Sequence, residues 1–64
     1  MRPLSSEVRL ILMTSFITRI REKQGMGVIS VPRFIWDEMG SVLNRLGAES
    51  HTEEFRAACE EVWQ

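Results

Sequence analysis

The sequence predicts an all-α protein: a small three-helix bundle with a short extended linker or strand at residues 28–31, completed by dimerisation or by a partner. Three observations carry the prediction. Apolar residues recur at three- and four-residue spacing in three separate stretches. Glycine and proline fall between those stretches, at Gly25, Gly27, Pro32 and Gly47. Serines able to cap helices stand before the first and third stretches, at Ser5 or Ser6 and at Ser50. Residues 1–64 read as one helical domain, with helices at about 5–24, 32–46 and 51–63.

Met1–Leu4 reads as a short tail, because Pro3 discourages helix before it. In the first helix Leu10, Met13, Ile17 and Ile20 line one face. Leu12 and Phe16 widen that stripe to an arc of roughly 160°, at about 100° per residue. One neighbouring helix covers less than that, and Ile11 lies outside the arc altogether. The helix is therefore expected to touch a second partner surface. Gly25 is expected to end it in the left-handed conformation, with Gly25-Met26-Gly27 as a flexible joint.

Val28-Ile29-Ser30-Val31 is rich in β-branched residues. Val31 precedes proline and is held out of the helical region, so an extended linker is favoured over a strand. Pro32 suits the first turn of a helix, where its missing amide hydrogen costs nothing. Ile35, Met39, Val42, Leu43 and Leu46 then keep helical register, and Phe34 and Trp36 enlarge the apolar side. Gly40 sits mid-helix, as a site of close helix approach or as a tolerated defect costing about 1 kcal/mol. Gly47 stops the helix. Ser50 and Glu53 have the spacing of a capping box, and Phe55, Ala58, Cys59 and Val62 carry the third helix toward Trp63.

A chain of 64 residues buries only about 60% of the surface its unfolded form exposes, so a lone monomer is marginal. Cys59 is the single cysteine and His51 the single histidine. An intrachain disulfide is excluded, and a structural zinc site lacks its four ligands. The remaining staple is a second subunit or a larger protein. Charge is divided unevenly. Residues 1–33 carry Arg2, Arg9, Arg19, Arg21, Lys23 and Arg33 against Glu7 and Glu22, a balance of +4. Residues 34–64 carry Arg45 and Arg56 against seven acids, a balance of −5. The halves are expected to attract each other, within a chain or between chains.

Enzymatic chemistry is not expected. A covalent mechanism needs a nucleophile, a base and an orienting group. Cys59 lies on an apolar stripe, and His51 is about 12 Å away along the same helix. Adjacent acids such as Asp37-Glu38, Glu53-Glu54 and Glu60-Glu61 diverge by about 100° and read as solvated faces. No cofactor or metal is expected. Arg19, Arg21 and Lys23 lie toward the end of the first helix, where positive charge favours the dipole.

In element order residues 28–63 resemble the ribbon-helix-helix repressors. Val28–Val31 stands for the ribbon, Phe34–Leu46 for the first helix, Gly47 for the turn and His51–Trp63 for the second helix. The resemblance implies a dimeric DNA-binding regulator in which Ser30 and Arg33 reach the nucleic acid. The chain departs from that pattern: Pro32 interrupts the ribbon, and the acidic third helix repels the phosphates that dominate DNA affinity. A peripheral membrane role is a third reading, since Arg9, Arg19 and Lys23 flank the apolar arc of the first helix. The preferred expectation is a small protein–protein interaction module: an adaptor, assembly factor, or inhibitor or regulator of another protein. Leu12, Phe16, Ile20, Phe34, Trp36 and Trp63 are its candidate contacts, because buried aromatics carry much of interface energy. Nucleic acid and membrane are disfavoured as partners. One unpaired cysteine and the lack of a secretory signal fit the cytoplasm.

Overall fold

Ser5 starts the first helix: its hydroxyl oxygen accepts from the Val8 amide at 3.2 Å, and Glu7 adds negative charge to the first turn. In this computed structural model residues 4–64 are described; of the expected tail, Met1–Pro3 lie outside them. Helix α1 spans Ser6–Gly25, α2 spans Arg33–Arg45 and α3 spans Thr52–Trp63, with a 3-10 turn at Glu49–His51 before α3. Among the described residues there is no strand. Residues 28–31 form a linker, with Val31 packed against the core and Ile29 95% exposed.

Both α1 and α2 end in the same way. The left-handed residue after α1 is Gly27 (φ +84), not Gly25, which remains helical. The Gly27 amide donates to the Gln24 carbonyl at 3.0 Å and the Val28 amide to the Lys23 carbonyl at 3.4 Å. After α2, Gly47 (φ +69) donates to Asn44 at 3.0 Å and Ala48 to Leu43 at 2.7 Å. These are paired reverse bonds that satisfy the last free carbonyls of each helix. The second also brings buried Ala48 beside buried Leu43. The joint at residues 25–27 is thus a hydrogen-bonded stop rather than a loose hinge.

Two other local expectations need correction. Pro32 is the residue before α2 rather than its first turn, and its carbonyl accepts from Ile35 at 3.0 Å. The Ser50–Glu53 capping box does not form. Ser50 lies inside the 3-10 turn, where the His51 amide donates to the Ala48 carbonyl at 2.9 Å, and no side chain caps α3. His51, not Ser50, is the residue before α3.

Contacts at both ends fix the helix directions. Arg9 pairs with Glu54, and the Gln24 side-chain amide donates to the Trp63 carbonyl, so α1 and α3 run parallel. Lys23 lies over the Phe34 ring and Arg19 pairs with Glu38, so α2 runs antiparallel to α1. The two interhelical ion pairs join a cation of the basic half to an acid of the acidic half, within one chain.

The core is Phe16, Ile20, Ile35, Met39, Leu43, Ala48, Phe55 and Cys59, with each helix contributing at least two of them. Phe16 and Phe55 meet edge to face with ring centroids 6.1 Å apart. Leu4, Leu12, Met13, Ile17, Val42 and Trp63 pack around it. Leu46, expected on the buried stripe, is the residue after α2 and is exposed. A Cβ added to Gly40 meets nothing within 4 Å, so no helix makes a close approach there.

Candidate interaction surface

The expected contact residues divide by where the bundle puts them. Phe16 and Ile20 are buried in the chain's own core and present no surface. Their helical face was read correctly, but α2 and α3 together cover that part of the arc. Leu12 and Trp63 are half-buried against the core. Trp36 is half-buried with the Arg56 guanidinium 5.1 Å from its ring centroid. Phe34 alone of the six is exposed, with the Lys23 ammonium 5.5 Å from its ring centroid. Ser30 and Arg33, the contacts implied by the ribbon-helix-helix resemblance, are exposed at the linker and at the first residue of α2.

Apolar surface collects in two places. The first is the corner between α1 and α2. Met26 and Ile29 are 73% and 95% exposed, and Phe34 follows at 50% in the first turn of α2. The second is the N-terminal half of α1, where Leu10 and Ile11 are 68% and 60% exposed. Leu10 belongs to the expected buried stripe but lies at its margin, past Met13, where α3 does not reach over it. Beside it a groove of about 520 Å³ runs between α1 and α3, lined by Ser6, Arg9, Leu10, Met13, Glu54 and Ala58. Sequence reasoning left Met26 and Ile29 out of the contact set, although their place in a glycine-flanked linker is the signal that exposes them.

Charged groups frame these surfaces. Glu54 takes Arg9 on one carboxylate oxygen and His51 Nδ1 on the other, the latter at 3.3 Å. The Arg19 side chain holds the Glu38 carboxyl below the usual carboxylate range, and Glu38 in turn raises the Arg19 guanidinium. Burial pushes the Cys59 thiol up, so it stays protonated and unreactive at neutral pH. Among the described residues no group of His, Cys, Asp and Glu is arranged to hold a metal ion, and no helix is long and apolar enough to cross a membrane. Comparison with models of known families, with curated proteins and with solved structures finds no match to the chain.

Proposed function

We propose that the chain is a non-enzymatic protein–protein interaction module of the cytoplasm, acting as an adaptor, assembly factor or regulator of another protein. The observation that carries this reading is the α1–α2 corner. Three large apolar side chains, Met26, Ile29 and Phe34, lie at one end of the bundle and face solvent. Grouped exposed apolar residues mark a surface that another protein covers. The corner is held in place by the bonded stop after α1, so little ordering is needed on binding. Trp36, two positions after Phe34, turns to the α3 side of α2, where Arg56 lies over its ring, and stands apart from the corner.

The test is affinity purification of the tagged chain from its native cells, with an Ile29→Glu/Phe34→Glu variant alongside. A partner recovered in fixed ratio with the wild type and lost with the variant supports the reading. Recovery that is equal for both, with the variant folded by circular dichroism, contradicts it.

A further inference from the structure

The outer face of α1 carries a stripe that nothing in the chain covers. Glu7, Leu10, Ile11, Thr14, Thr18 and Arg21 fall within an arc of roughly 100°, at about 100° per residue. All six are exposed. Leu10 and Ile11 are the most exposed large apolar side chains within the three helices, at 68% and 60%. Glu7 and Arg21 end the stripe, and neither forms an ion pair with any described residue. They stand about 21 Å apart along the axis, with Thr14 midway between them.

We propose that this face docks on the same face of a second copy, the two α1 helices running antiparallel about a two-fold axis at Thr14. The charge order selects that arrangement. With Thr14 against Thr14, each Glu7 meets the Arg21 of the other copy, giving two equivalent ion pairs. A parallel arrangement sets Glu7 against Glu7 and Arg21 against Arg21, and is repelled at both ends. Between the ion pairs Ile11 lies beside the other copy's Thr18 along one edge, and Leu10 beside its half-buried Ile17 along the other. Large residues thus face smaller or partly sunken ones, which lets the helices approach. The Thr18 hydroxyl already donates to the Thr14 carbonyl at 2.8 Å, so covering it strands no donor. The acidic outer face of α3, with Glu53, Glu60 and Glu61, plays no part. Self-pairing through α1 leaves the α1–α2 corner open and does not depend on its partner.

The experiment is sedimentation equilibrium of the purified chain from about 10 to 300 μM. One helix per copy makes a small interface, so the dissociation constant is expected on the order of 10–100 μM. Glu7→Arg and Arg21→Glu, both at exposed positions, are each expected to weaken the dimer about tenfold by turning both ion pairs into repulsions. The double variant is expected to regain the dimer to within about threefold, although it carries both helix-dipole penalties. Circular dichroism of each variant checks that the monomer fold is kept. A monomer at every concentration overturns the proposal. So does a dimer indifferent to the single reversals, or one that the double variant fails to restore.

Discussion

Helices α1 and α3 lie side by side and parallel, yet they use their apolar residues differently. In α3 the two buried side chains, Phe55 and Cys59, share one face, with Val62 and Trp63 half-buried beside them and Glu53, Glu60 and Glu61 in water. Every large apolar residue of α3 is covered at least in part. In α1 only Phe16 and Ile20 are fully buried, while Leu10 and Ile11 stand in solvent. The difference teaches that amphipathic spacing sets what a bundle can cover, and that apolar residues beyond that arc are left in solvent. A helix with one apolar face has it covered by its own chain; a helix with more keeps part of its apolar area uncovered.

Substitutions that sharpen this contrast have effects of very different size. Phe55→Ala is expected to be the most severe. It removes the ring that meets Phe16 at the fully buried centre, at a cost of about 3–5 kcal/mol. A chain of this size holds only about 3–10 kcal/mol in all. Urea unfolding followed by circular dichroism is expected to show a protein at or near its folding threshold. A loss below about 1 kcal/mol would mean that α3 is not seated on α1 as described.

Gly47 and Gly40 separate backbone conformation from space. A Cβ at either meets nothing within 4 Å, but only Gly47 has a positive φ. Gly47→Ala is expected to cost about 1–2 kcal/mol, because it strains the corner that lays α3 along α1. Gly40→Ala is expected to stabilise by about 1 kcal/mol through helix propensity. The same urea titration reads both, and equal signs would contradict the assignment of the strain to φ.

Cys59 tests the buried face of α3 chemically. Its thiol is expected to react with a thiol reagent only as fast as the chain unfolds. Cys59→Ala is expected to cost about 1–2 kcal/mol, as ordinary core trimming does. Fast labelling of the native protein would show that the α3 face is open.

The smallest expected effect lies at the Arg19–Glu38 pair. Arg19 holds the Glu38 carboxyl low in the folded state. Its contribution to stability is therefore present above the ordinary carboxylate range and lost as pH falls through the lowered folded value. Both side chains are exposed, so the contribution is slight. Glu38→Gln is expected to flatten the acid limb of the stability profile without moving the neutral plateau.

Much of the fold was legible in the sequence because it rests on local patterns. The three helices, the Ser5 cap and the stop at Gly47 each depend on a few neighbouring residues. The attraction between the basic and acidic halves was legible too, and Arg9–Glu54 and Arg19–Glu38 realise it within the chain. What failed depends on neighbours far along the chain or on competing local solutions. Gly25 and Gly27 fit the same stop pattern equally well, and the bonding of Val28 to Lys23 selects Gly27. The capping box lost to a 3-10 turn that takes in Ser50 and so removes it from the position before α3. Periodicity placed Phe16 and Ile20 on the right face, but it does not say which helix covers that face. Those two residues became core, while Leu10 at the margin stayed in water.

The central claim is that the uncovered apolar face of α1 is an interface, and the concentration dependence of thermal unfolding tests it most directly. A species that dimerises in the folded state and dissociates on unfolding melts higher as concentration rises. The midpoint of the wild type is expected to climb across about two decades of concentration around the expected micromolar dissociation constant. That of Leu10→Ser/Ile11→Ser is expected to stay fixed, with little change in monomer stability because both sites are exposed. A sharp wild-type transition at one temperature throughout that range would contradict the account.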